Sequence, residues 1–188
     1  MDTEARFADK RLNDFVAVTV VILTVFLAVS KIKDDNIVQA MQKAQAGSVD
    51  AWAEYQATRV KLHVDENALA TLRLLETTGN IEKSLAAKQA DEYAADIKKY
   101  EERSRETMAK ARALEAQYNR LNIHDDQFDI SEAFIPIAIA VSAVGALVDS
   151  FGLLYLAWGS GAVGVVFGLA GFLGWNFRPE FLAQLLGT

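Results

Sequence analysis

Two short clusters carry the side chains best suited to chemistry: His63 with Asp65 and Glu66, and His124 with Asp125 and Asp126. Imidazole and carboxylate are zinc ligands, and His63 and Glu66, three residues apart on a helix, would share a face and could chelate an ion. A zinc site needs three or four such ligands at set spacings, and these clusters match none of them. Both clusters read as solvated helix surface. Without cysteine the chain has no disulfide, thiolate nucleophile or Cys-ligated metal. No nucleophile–base arrangement, phosphate-cradling glycine loop or pair of catalytic carboxylates is legible. Trp52, Tyr55 and Gln56 could line an aromatic ligand site, but packing opposite Tyr100 or Met108 is their simpler use. The expectation is a chain without enzyme activity, cofactor or metal. A formal net charge of −6, with no run of Lys or Arg, also argues against a nucleic-acid partner.

The residues that must be positioned are therefore structural ones. From Ile81 to Leu121 one heptad position takes Tyr93, Tyr100, Thr107, Leu114 and Leu121, and the position four further on takes Ile97, Ser104, Ala111 and Tyr118. Charged residues fill the intervals, which is the pattern of a coiled-coil seam. Upstream, helical spacing runs through Met41, Ala44, Ser48, Ala51, Tyr55, Thr58, Leu62, Leu69 and Leu72, with Trp52 beside it. Its first half is built of small residues, which admit a close partner. Thr77 to Asn80 breaks the pattern, with Gly79 suited to a helix C-terminus. Two helices of about 40 residues, each about 60 Å long, would then pair antiparallel across a short turn.

Apolar segments flank this charged region. Residues 15–30 form one, after a mixed flank over 1–14. It has the outline of a signal peptide, with a basic start and Ala28-Val29-Ser30 as a cleavage motif, but it reads as a membrane anchor. Lys31 and Lys33 would close it, and Asp34, Asp35 and Asn36 are good N-cap residues for a new or continued helix. After Leu121, Asn122 to Asp126 would end the hairpin, and Ser131 would cap a second span over 133–148, with Pro136 near its start. Asp149 to Gly152 makes a tight turn before a third span over 153–177, with Tyr155, Trp158 and Trp175 as interfacial anchors. Residues 178–188 would be an interfacial tail. None of the span interiors holds an ionisable residue, which argues against an ion-coupled transporter. In the third span Gly161, Gly164, Gly168 and Gly171 share a broad face, with Gly164 and Gly168 forming a GxxxG, and Ala138, Ser142 and Ala146 give the second span a matching small-residue face. Such faces serve close packing within the chain or between subunits. Arg6, Lys10 and Arg11 before the first span favour a cytoplasmic N-terminus and a periplasmic hairpin.

The stretches Val38-Gln39-Ala40 and Ala51-Trp52-Ala53-Glu54-Tyr55-Gln56-Ala57-Thr58, with Phe134 to Ala140 and the glycine-rich end, resemble the bacterial domain-of-unknown-function 4337 family. The resemblance covers nearly the whole chain and is most specific from Trp52 to Ala57. Thr58 stands where the family usually has Lys, and Asp149-Ser150 replaces a turn that is often basic. The resemblance implies small membrane proteins of the bacterial inner membrane, with one N-terminal and two C-terminal spans around a helical hairpin, and no known activity. The reading as a whole is an all-α membrane protein with three transmembrane helices and a long antiparallel coiled-coil hairpin over 31–132. Its expected partners are the lipid bilayer, further copies of itself, and a protein at the hairpin. The expected role is a non-enzymatic, homo-oligomeric scaffold. The alternative is an oligomeric channel, with Thr19 and Thr24 of the first span lining the pore.

Overall fold

The computed structural model describes residues 2–79 and 82–176, with side chains from Lys10 onward. Three helices account for nearly all of them, and there is no strand among the described residues. Helix α1 spans Asp2–Thr77, α2 spans Lys83–Leu147 and α3 spans Phe151–Leu173. Each is long and apolar enough over part of its length to cross a membrane.

Several breaks expected from the sequence do not occur. Lys31, Lys33 and Asp34–Asn36 lie within α1. Asn36 Nδ2 donates to the carbonyl of Ile32 at 2.8 Å, a bond back along the same helix. A cap would instead accept from an amide ahead of it. Likewise α2 continues through 122–131. Asp126, Gln127, Phe128 and Ile130 are buried there, and that packing outweighs the weak helix propensity of Asn and Asp. Ser131 is a fully buried helix-interior residue rather than a cap. Pro136 stands mid-helix, where its missing amide and its ring both strain the preceding turn. In that turn the carbonyl of Phe134 accepts from Ser160 Oγ at 2.9 Å. Phe151 and Gly152 already belong to α3, so the preceding turn is shorter than expected. Asp149 takes a positive φ of 51°, and the Ser150 amide donates to the Gly145 carbonyl at 2.9 Å. Helix α3 stops at Gly174, whose φ of 69° suits a residue without Cβ. Gly79 ends α1's turn with a φ of 73°. The expected tail over 178–188 lies outside the described residues.

The chain forms two compact units. One comprises 1–41 and 119–188. Its core has two clusters, one of Leu12, Val16 and Leu154 with Ala146 and Phe151 against it, the other of Leu23, Ile135 and Ala138 with Phe26 and Val165. The second unit is 42–118. Within it α1 and α2 lie side by side in opposite directions: Gly47 approaches Leu114, Ser48 Oγ bonds to the Ala111 carbonyl at 3.5 Å, and Glu54 pairs with Arg103. A seven-residue rhythm organises burial in both units. On α1 it takes Val16, Leu23, Ser30, Ile37, Ala44, Ala51, Thr58 and Leu72, all buried. The positions four further on include Asp34, Met41, Ser48, Leu62 and Leu69, also buried.

Candidate functional site

Four glycines of α3, Gly161, Gly164, Gly168 and Gly171, are consumed by packing inside the first unit. A Cβ built on Gly161 would meet Leu23 and Ala138, and one on Gly171 would meet Phe128 at 2.7 Å. On Gly168 it would lie 2.7 Å from the Phe26 ring and 2.9 Å from Ser131 Oγ. These glycines let α3 approach helices that carry phenylalanine at the contact. Phe172 completes the packing, edge-on to both Phe26 and Phe128. Ala138 is fully buried and Ala146 packs beside Leu12 and Val16. Ser142 is fully buried too, and its hydroxyl has no hydrogen-bond partner.

In the second unit the most buried contacts are small or aliphatic. Leu62 and Leu69 on α1 and Ala86, Ser104, Thr107 and Ala111 on α2 are buried. Tyr55, Tyr93, Ile97, Tyr100, Leu114 and Tyr118 are half-buried. Small residues at the contact bring the backbones close, and the larger side chains then lie over the edges. Trp52 sits on such an edge. Its Nε1 donates across the helix pair to Glu115 Oε1 at 2.7 Å and its ring stands edge-on to Tyr55, which shares a groove with Met108. A shallow groove of about 260 Å³ beside Tyr55 is lined by Arg59, Glu101, Ser104, Arg105 and Met108; open and polar, it lacks the enclosure a small ligand needs. His63 is taken up locally. Arg59 Nη2 lies 3.2 Å from its Nε2, and its Nδ1 lies 2.8 Å from Glu66 Oε2. Since arginine only donates, Nε2 accepts and the proton sits on Nδ1.

The chemistry of the described residues gathers where α1 and α2 meet in the first unit, just beyond the apolar segments. Asp34 of α1 is buried, 6% exposed. Asp125, Asp129 and Glu132 of α2 lie close enough to act on it, and Asp126 on the same helix is buried. Among the described residues Lys31 brings a cation to the group. Its Nζ bonds both oxygens of Glu132, at 3.2 and 2.9 Å. Glu132 holds the Lys31 ammonium above its ordinary pKa. Burial, then repulsion from Asp125, Glu132 and Asp129, pushes the Asp34 carboxyl up to about 7. Asp125 and Asp129 are raised too, again chiefly by burial and then by neighbouring carboxylates. Asp34 Oδ1 and the hydroxyls of Ser30 and Ser131 are buried without a partner. The end of α3 is tied to this region through Gln127 Nε2, which donates to the Trp175 carbonyl at 2.7 Å. In the sequence Asp34 reads as a cap and Asp125 as a helix end. The signal that finds the cluster is the heptad register, which carries Asp34 onto the same buried row as Met41 and Ser48. Among the described residues no three His, Asp or Glu side chains converge closely enough to hold a metal ion.

Comparison with curated proteins and with solved structures finds no match. A family profile does match, over residues 12–174, and it takes in both units and all three helices. The chain belongs to the family described as Domain of unknown function (DUF4337).

Proposed function

We propose that the protein is an integral membrane protein of three spans, whose charged region outside the bilayer is an antiparallel coiled-coil hairpin. It would serve as a non-enzymatic, self-associating scaffold. The observation that carries the membrane reading is the outward face of the apolar segments. Only 17% of the most apolar window of α1, and 33% of those of α2 and α3, is buried within the chain. Phe15, Val18, Val21, Ile22, Val25 and Val29 are all exposed, a contiguous apolar surface that a water-soluble monomer does not tolerate. Lipid covers it at no cost, and helices satisfy their own backbone groups there. The coiled-coil reading rests on the seven-residue rhythm of burial.

The channel alternative gains nothing from the geometry, because Thr19, one of its pore-lining residues, accepts a hydrogen bond from Trp158 Nε1 at 2.8 Å. Membranes containing the full-length protein, washed with alkaline carbonate, test the proposal. Retention in the pellet is expected, and release into the supernatant refutes it.

A further inference from the structure

We infer that the lipid-facing belt of this chain is matched to a thin bilayer, and that the chain selects lipids with short acyl chains as its neighbours along α1 and α2. The inference rests on the membrane reading and adds the thickness of the membrane to it. The spacing of the charges carries it. On α1 residues 15–30 separate Asp14 from Lys31, and on α2 residues 133–148 separate Glu132 from Asp149. Each interval holds sixteen residues, none with an ionisable side chain. A helix rises about 1.5 Å per residue, so each interval is about 24 Å long. The hydrocarbon of a typical bilayer is about 30 Å thick.

Packing holds the two short intervals level. At one end Lys31 Nζ bonds both oxygens of Glu132, at 3.2 and 2.9 Å. At the other, Ala146 of α2 and Phe151 of α3 pack against the cluster of Leu12, Val16 and Leu154. The helices therefore cannot slide past each other to lengthen the joint apolar surface, and tilting them shortens the thickness they cover. Lipid borders both intervals, since Val18, Val21 and Val25 of α1 and Ile137, Val144 and Val148 of α2 are exposed. A thicker bilayer would draw charges into hydrocarbon, which is costly. The Lys31 ammonium can reach outward on its long stem. Asp14 and Asp149, both exposed, sit on short side chains and cannot. Helix α3 differs. It holds 23 residues, about 34 Å, enough for an ordinary bilayer. The mismatch of about 6 Å therefore falls on the lipid beside α1 and α2, which thins to meet the charges.

Full-length protein reconstituted in phosphatidylcholine vesicles tests this, with brominated lipids of fourteen-, eighteen- or twenty-two-carbon chains competing against an unbrominated one. Trp158 and Trp175 are exposed, and bromine quenches the fluorescence of a tryptophan it touches. The competition therefore reads the relative binding of each chain length. The fourteen-carbon lipid should bind at least about threefold more tightly than the twenty-two-carbon lipid. Lys31→Leu with Glu132→Leu removes both charges together and extends the uncharged intervals to 15–32 and 130–148, about 27 to 29 Å. The optimum of this double variant should move to the eighteen-carbon lipid. Quenching that is equal across chain lengths, or strongest for the longest, overturns the inference and leaves the membrane reading standing. An optimum that stays at fourteen carbons in the double variant overturns it as well, since these charges would then not set the boundary. No quenching by any brominated lipid defeats the membrane reading itself, and the inference with it.

Discussion

A methyl group added at Gly164 would lie 2.6 Å from Ile135 Cγ1 and 3.2 Å from both the Ile135 amide nitrogen and the Ser131 carbonyl oxygen. The first contact can yield by a side-chain rotation. The other two are backbone of α2 and cannot, so the helices themselves must separate. Gly164→Ala should therefore destabilise the folded chain by about 1–3 kcal/mol, read as a lower thermal midpoint of helicity in detergent. Gly159, five residues earlier on the same helix, has nothing within 4 Å of an added Cβ, and Gly159→Ala should leave the midpoint unchanged or slightly raised. Equal losses in the two variants would mean that helix propensity, and not close approach, governs these glycines. The sequence shows that Gly164 and Gly168 mark a small-residue face. It does not show what fills that face, because Phe26 and Ile135 are distant in sequence and nothing local ties them to α3.

Between elements, burial decides which contacts matter. Leu62 is 1% exposed on the α1 row that faces α2, and Leu62→Ala should cost about 2–5 kcal/mol through the cavity it leaves. Arg103 donates from Nε to Glu54 Oε1 at 2.8 Å across the same pair of helices, but both side chains are well exposed. Water and salt screen such a pair, so Arg103→Ala should not move the midpoint. Denaturation of both variants in one detergent checks the contrast, and the reverse ranking would place the energetic centre of this unit in its surface charges. The rows behind this prediction are legible in spacing alone. Met41, Ala44, Ser48, Ala51, Thr58, Leu62, Leu69 and Leu72 recur at helical intervals and are buried. The helix ends are less legible. Asp34–Asn36 and Asn122–Asp126 carry residues that favour caps when the backbone has amides to satisfy. Where the helix runs on, there are no free amides, and packing of Ile37 and Phe128 holds these residues inside it. Asp34 escapes a sequence reading for the same reason, since a local cap signal conceals a long-range charge cluster.

At the scale of the molecule, self-association needs a surface that the protomer leaves open. Gly161, Gly164, Gly168 and Gly171 are already occupied within the chain, so they offer no open face for subunit contact. A different row remains on α1. Ala53, Ala57, Val60, Val64, Asn67, Thr71 and Leu74 recur at alternating intervals of four and three and are all exposed, with Val60 at 63% and Leu74 at 66%. In a region otherwise dense in charge, a second seam of this spacing is what a helix from another copy would need. Small residues at Ala53 and Ala57 would admit a close approach, and the valines would supply the apolar area. Closed homo-oligomers are the usual outcome for self-complementary surfaces. Full-length protein in mild detergent should therefore run as a discrete oligomer by native mass spectrometry. Val60→Lys with Val64→Lys, at exposed positions outside the protomer core, should shift it to smaller species without lowering helicity. A wild-type protein that is only ever monomeric defeats the self-association reading, and an oligomer that survives the double substitution places the contact elsewhere, on the exposed apolar face of the α1 span.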